Sequence, residues 1–297
     1  MTRSRSRAWR PAAAAMAVGL LASCSSTAPA DDTTTVMAAF YPLEYVAGEV
    51  GGSSVTVESL TPAGAEPHDV ELSPQQIASI DDADLILYIK GFQPAIDEAV
   101  AQVAPDRAVD VSQGITLLTA PGSESGVDPH IWLDPDNMRV IAATVRDRLA
   151  AVSPADEASY TTAKDQLDGE LEALDRRWAA GTKDCTNRDL VVSHEAFAYL
   201  ADRYGFSQVG ISGVSPDIEP SPAQAAQVAD FVRANDVRTI YFETLVDPKV
   251  AQTVAAETGA ATAVLDPLEG LPEGSDATYL SVMEDNLATV QSGQPCR

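Results

Sequence analysis

Histidine is scarce in this 297-residue chain, with three copies, and cysteine is equally scarce. Basic side chains are outnumbered by acidic ones, 19 against 44. An excess of that size excludes nucleic acid as a partner and argues against direct docking on anionic lipid. Aromatic residues make up 6% of the chain and do not cluster with bases, so no stacking platform is indicated. The patterns G-x-x-x-x-G-K-S/T, G-x-G-x-x-G and G-x-S-x-G are absent, which removes the phosphate-loop, dinucleotide and nucleophile-elbow readings. Beyond the N-terminal segment no apolar run is long enough to span a bilayer.

That segment, "MTRSRSRAWRPAAAAMAVGLLASC", has a basic head, a short apolar run and small residues before Cys24. It reads as a signal peptide over 1–23 with a lipobox, which implies cleavage before Cys24 and lipid on its sulfur. Residues 24–34 are a small, polar tether with nothing to bury. The mature chain is then expected outside the cytoplasm, held to the membrane by its lipid. Cys185 and Cys296 remain, and an exported chain with two cysteines is expected to join them.

The rest alternates short apolar runs with amphipathic helices, the pattern of α/β layers. Its length exceeds what one core usually organises, so two lobes are expected, over 35–152 and 183–297. Strand candidates are 35–40, 54–60, 85–89 and 108–111 in the first half, and 190–193, 208–212, 239–242 and 262–265 in the second. Ser73-Pro74, Asp134-Pro135, Ser221-Pro222 and Asp247-Pro248 each place a capping side chain before a proline suited to the first helical position. The helices of the second half are expected from about 195, 222, 247 and 278, and Gly205 and Gly259 fit helix ends. From 153 to 182 the chain has no internal proline after Pro154 and few glycines, while Tyr160, Ala163, Leu167, Leu171, Leu174 and Trp178 recur at helical spacing. A stiff connecting helix is expected there. Reading along the chain finds no repeat between the halves.

The three histidines lie in "AEPHDVEL" (His68), "DPHIWLDP" (His130) and "VVSHEAFAYL" (His194). In open parallel sheets ligands bind at the carboxyl ends of strands. His194 follows a predicted strand directly, His68 lies in the loop after another, and His130 precedes the last helix of the first half. Asp266 follows the final strand, with Glu269 a turn further on. All can reach one crevice between two lobes. Three imidazoles and a carboxylate suit a borderline divalent ion, Zn2+ best. Glu243, at a strand end, is a candidate to orient a ligand imidazole. "HEAFA" misses the zinc-protease pattern because residue 198 is alanine, so Glu195 reads as solvated or capping. Trp132 reads as cleft wall.

"GAEPHDVELSP", "DPHIWLDP", "SHEAFAYLADRYG" and "LDPLEGL" together resemble the successive signatures of the metal-binding receptors of bacterial ABC transporters for zinc and manganese. The resemblance runs from about residue 35 to the C-terminus. It implies two α/β lobes, each a mostly parallel sheet flanked by helices, joined by one long rigid helix with the metal between them. It implies that His68, His130 and His194 ligate, that the partner is an ABC permease, and that the protein works as a monomer without enzymatic activity. Manganese-type members usually carry a carboxylate at the third histidine, so His194 suggests zinc. Details such as "GISGVSPDIEPSP" resemble an actinobacterial subgroup. The His-rich loop of many zinc members is missing between His68 and His130. The fourth ligand stays open between Glu269 and Asp266. The longer Glu269 is favoured, with Asp266 supporting its own turn. A manganese receptor, a zinc hydrolase with an open coordination place and a surface adhesin are the alternative readings.

Overall fold

The computed structural model describes residues 1–2, 33–120, 123 and 125–296. Cys24, and with it the signal segment and tether up to residue 32, lie outside the described residues. Among the described residues no helix is long and apolar enough to cross a membrane.

The first half builds β1 (Thr34–Ala38), α1 (Tyr41–Gly51), β2 (Val55–Ser59), α2 (Pro74–Asp82), β3 (Leu85–Tyr88), α3 (Pro94–Val103), β4 (Ala108–Asp110) and α4 (Pro135–Val152). After a single 3-10 turn comes α5 (Glu157–Thr182). The second half builds β5 (Asp189–Val192), α6 (Ala198–Tyr204), β6 (Ser207–Gly210), α7 (Pro222–Ala234), β7 (Thr239–Phe242), α8 (Lys249–Thr258), β8 (Ala261–Val264) and α9 (Tyr279–Gly293). All strand pairings are parallel. The two sheets run β2-β1-β3-β4 and β6-β5-β7-β8, one order used twice. This is an α/β fold of two helix-flanked parallel sheets. The strands fall where the apolar runs place them, because buried parallel strands need short unbroken hydrophobic stretches.

Two helix starts differ from the sequence reading. The helix expected from about residue 195 begins at Ala198, because the chain bends after His194, where the Ala196 N–H bonds the His194 carbonyl at 2.9 Å. Pro248 occupies the cap position rather than the first turn of α8, and Asp247 accepts the Lys249 N–H at 3.0 Å. The matching sheet order also exposes a short repeat, against the expectation of unrelated halves. The loop after β2 reads Asp69-Val70-Glu71-Leu72-Ser73-Pro74-Gln75-Gln76, and the loop after β6 reads Asp217-Ile218-Glu219-Pro220-Ser221-Pro222-Ala223-Gln224. The two octets are identical at five of their eight positions, too few to stand out without the strand order. Both copies end in a capping box: Ser73 and Gln76 at the start of α2, Ser221 and Gln224 at the start of α7.

The connecting helix α5 has 26 residues and is therefore about 39 Å long. It buries Tyr160, Leu167, Leu171, Leu174 and Trp178 along one stripe and packs against α1, α4 and α9. The Trp178 indole N–H donates to the Met283 carbonyl at 3.1 Å, and its ring stacks on Tyr204. Arg203 of α6 bonds Asp175 of α5 at 2.9 Å and Asp136 of α4 at 3.2 Å. One apolar core runs from β1 through α4 and α5 to α9, and a smaller one lies under the outer side of the second sheet.

Cys185 and Cys296 form a disulfide that closes a sequence separation of 111 residues. The Thr186 N–H also bonds the Pro295 carbonyl, and the Gln294 amide bonds the Asp189 carbonyl. The bridge limits the unfolded chain over a long loop, so Cys185→Ser with Cys296→Ser is expected to cost about 2–4 kcal/mol. Urea melts of oxidised and variant protein check this. A variant as stable as the parent would make the bridge incidental.

Candidate metal centre

The cluster side chains lie in segments that follow strands of the two sheets. His68 lies in the loop after β2, and Glu66 accepts the His68 N–H at 3.1 Å. Buried Gln93 pins that loop by donating to the Thr61 hydroxyl and the Pro67 carbonyl, at 2.9 and 3.2 Å. The His68 ring stands edge-on to Phe92. His130 follows β4 at the entry to α4. Asp128 Oδ1 meets both its backbone N–H, at 2.9 Å, and its Nδ1, at 2.7 Å. The Tyr199 hydroxyl donates to the Asp128 carbonyl, tying this loop to α6. His194 directly follows β5, and its Nδ1 meets Glu243 Oε1, at the end of β7, at 2.9 Å. That same oxygen accepts the Ser193 hydroxyl.

Glu269 arrives from β8 through a tight turn. Asp266 Oδ1 accepts the Leu268 N–H at 2.8 Å and Oδ2 accepts the Thr244 hydroxyl at 2.8 Å. Asn286 of α9 clasps the Asp266 backbone from both sides, and the Trp132 indole donates to the Pro267 carbonyl at 2.7 Å. Buried Leu268 is held at φ +58°. A non-glycine residue pays on the order of 1–3 kcal/mol there and persists only when its surroundings over-determine it, as these do. The outcome of the strained turn is to aim Glu269 inward.

The structure brings His68, His130, His194 and Glu269 together, with one donor atom of each within 4.8 Å of the others. Glu269 Oε1 lies 3.4, 3.1 and 3.1 Å from the Nε2 atoms of His68, His130 and His194. The Nε2 atoms of His68 and His130 are 3.3 Å apart. A tetrahedron with zinc–ligand bonds near 2.05 Å has edges of about 3.3 Å. Those four separations are close to that edge and all the donors lie within 4.8 Å of one another, so the donor set can hold a four-coordinate ion of that size. Exposure is 0% for His130 and 1% for His194 and Glu269, and 7% for the His68 side chain, so the set is closed to bulk water. Asp266 stays outside the cluster, occupied by its turn.

Burial works against a charged His194, but Glu269 and Glu243 together hold its pKa well above the ordinary range. Burial likewise opposes a charged His130, and Asp128 overrides it, so that pKa is also raised. His68 is shifted down by burial, only partly offset by Glu269. For Glu269 burial favours the neutral acid, yet His194 and His68 carry its pKa well below the usual carboxylate range. Burial, helped by Glu269, pushes the Glu66 carboxyl up to about 8.

Glu243, the sequence candidate for orienting an imidazole, lies against His194 Nδ1. Asp128 is a residue to which sequence reasoning assigns no role. Its signal is the spacing, since an Asp two residues before a histidine can hold that residue's N–H and ring at once. Both carboxylates fix the tautomer that leaves Nε2 free to ligate. Asp128→Asn and Glu243→Gln are each expected to weaken metal binding about 10–100-fold. Zinc titration of the two variants checks this, and affinities equal to the parent's would reduce both carboxylates to packing.

The family described as "Zinc-uptake complex component A periplasmic" matches residues 36–293. The chain is 32% identical over 289 residues to the zinc-binding lipoprotein AdcA of Streptococcus pneumoniae serotype 4, covering 91% of this chain and 58% of AdcA. It thus spans little more than half the length of that relative. It is 31% identical to the high-affinity zinc uptake system protein ZnuA of Bacillus subtilis, covering 86% of each. Among solved structures, the laminin-binding protein of Streptococcus agalactiae, described as having adhesin and metal transporting activity, aligns with TM-score 0.80 and 33% identity over 88% of this chain and 99% of that one. The Zn(II)-bound ZnuA-like domain of S. pneumoniae AdcA aligns with TM-score 0.77 and 33% identity over 89% and 99%. The extent of these matches makes the chain a member of the zinc-uptake complex component A family.

Proposed function

We propose that this protein is an extracytoplasmic receptor that captures Zn2+ and delivers it to an ABC permease for uptake. His68, His130, His194 and Glu269 are its ligands, each imidazole acting through Nε2. The observation that carries this reading is the convergence of the four donors, with four of their separations near the edge of a zinc tetrahedron, in a site closed to water. Residues 35–152 act as one lobe, supplying His68 and His130, and residues 183–297 as the other, supplying His194 and Glu269, with 153–182 as the strut between them. Residues 1–23 direct export, Cys24 carries the lipid that keeps the receptor beside its permease, and a single chain completes the site. A hydrolase needs an open coordination place and a positioned base. Here Glu269 takes the fourth place, while Asp128 and Glu243 are occupied with imidazoles.

The purified mature protein is expected to bind one zinc per chain, with manganese held far more weakly, as imidazole donors and the Irving–Williams order dictate. Competition calorimetry checks this. Displacement of zinc by manganese at comparable concentration would overturn the zinc assignment.

A further inference from the structure

The four donor side chains are closed off from bulk water, so the ion must cross protein to reach them. Near the site the two halves are bonded together. The Trp132 indole donates to the Pro267 carbonyl and the Tyr279 hydroxyl to the Trp132 carbonyl, both at 2.7 Å. Further out, the Gly64 N–H donates to the Leu271 carbonyl at 2.8 Å. These bonds hold the halves together without filling the space between them. A cavity of about 490 Å3 lies there, walled by residues of both halves, and Glu269 forms part of its wall. It opens beside Pro62, Pro272 and Ser275, all exposed.

The first half contributes two polar groups to this wall, Glu44 of α1 and Ser59 at the end of β2. The Ser59 hydroxyl oxygen is buried and has no hydrogen-bond partner of ordinary geometry among the described residues. It lies close enough to Glu44 to favour the ionised carboxylate. Glu44 is half-buried, and no basic side chain is among the groups that act on it. Polar atoms withdrawn from water without partners cost stability, so folding does not explain this pair. A hydrated cation does, because its waters bring the missing donors. Glu269 offers the next oxygen inward. Its bonds to the imidazoles all use Oε1, and no other hydrogen bond engages Oε2 among the described residues. A shell of about six waters takes roughly 180 Å3 at ~30 Å3 each, so the cavity is large enough for the hydrated ion.

We propose that this cavity is the ion's route to the metal centre, with Glu44 and Ser59 as a transit site for hydrated Zn2+ in front of Glu269. This rests on the receptor reading above and adds to it a second place where the ion stops. The ion arrives with its waters, drawn by the Glu44 charge, since an acid at a recess raises the local concentration of cations. Waters of the shell bond Glu44 and Ser59, and Glu269 and the imidazoles then replace those waters. A transit site takes no part in the final complex. It therefore changes how fast zinc comes and goes, by the same factor in each direction, and leaves the affinity as it was.

The test is stopped-flow zinc binding to the purified mature protein, with release measured into excess chelator and affinity taken from competition. The variants are Glu44→Gln, Ala277→Phe, which narrows the cavity, and Glu58→Gln, which removes an exposed charge next to Ser59 that does not line it. Glu44→Gln is expected to slow association and release alike, each about tenfold, with affinity unchanged within about twofold. Its association should also lose most of its dependence on salt, a change that lost packing would not produce. Ala277→Phe should slow both rates further, and Glu58→Gln should leave both at the parental value. Parental rates in Glu44→Gln, or equal slowing in Glu58→Gln, would overturn the transit site. A weaker affinity from faster release alone would place Glu44 in the bound complex and overturn it equally. Parental rates in a folded Ala277→Phe would mean that the cavity is not the route, and if that variant fails to fold, Glu44→Gln alone decides. Absence of zinc binding by the parent would count against the receptor reading instead.

Discussion

Replacing Glu269 with alanine is expected to weaken zinc binding by about 10²–10³-fold, while Asp266→Asn leaves it within a few fold. The first figure follows from dividing a structural zinc affinity of about 10–16 kcal/mol over four donors, or roughly 2.5–4 kcal/mol each. Glu269 is also the one group that touches all three Nε2 atoms, so its loss leaves three buried imidazoles without their shared acceptor. Asp266 differs in kind. Its carboxylate is spent on the Leu268 N–H and the Thr244 hydroxyl, and burial already shifts its pKa up toward the neutral form. An asparagine keeps the acceptor for Leu268, and the Thr244 hydroxyl can turn to accept from its amide. Calorimetric titration of both variants decides between the two acids, with far-ultraviolet circular dichroism verifying that each is folded. Collapse of affinity in Asp266→Asn alone would reverse the assignment. If neither substitution matters, a water completes the shell and the hydrolase reading regains ground.

The sequence carried the eight strands well because buried parallel strands are short apolar runs bounded by breakers. The connecting helix was equally legible from the spacing of Tyr160, Leu167, Leu171, Leu174 and Trp178, all buried as that spacing requires. What it could not convey was contact between distant segments. Gln93 pins the His68 loop from the start of α3, and Tyr199 reaches the Asp128 carbonyl from α6. Neither is part of a local pattern. The sequence favours Glu269 over Asp266 from side-chain length alone, and the positive φ of Leu268 that aims Glu269 inward is a backbone feature that a leucine in sequence does not announce. The repeated loop was hidden because strand order, not spacing alone, makes Glu71 and Glu219 equivalent. Helix starts slipped where a ligand loop intervened: the bend after His194 delays α6 to Ala198.

Zinc affinity is expected to fall as the medium is acidified from neutrality, approaching roughly a hundredfold per pH unit once both His130 and His194 hold a proton in the metal-free site. A ligating imidazole must be neutral, so every proton held by the metal-free site competes with the ion. Free histidine titrates near 6.5, but His130 and His194 are both raised above it, His194 strongly, by the carboxylates around them. Their competition therefore begins above pH 6.5, and two protons displaced per zinc give the hundredfold slope. His68, shifted down by burial, joins only at lower pH and steepens it. The stability of the metal-free protein moves the other way over this range. Groups whose folded pKa is raised stabilise the fold fully below the unfolded value, near 6.5, and lose that contribution as pH rises through the folded one. The contribution of Glu269, whose pKa is lowered, is kept above its unfolded value of about 4.3 and fades as pH falls through its folded pKa. Between pH 7.5 and 5.5 His130, His194 and Glu269 therefore leave the metal-free protein no less stable, His68 with its lowered pKa works against them below about 6.5, and the extra stability conferred by zinc shrinks with its affinity. Melting curves with and without zinc across that range separate the two effects. A zinc-induced rise in melting temperature that is the same at both ends would mean that the ion is not held by three imidazoles.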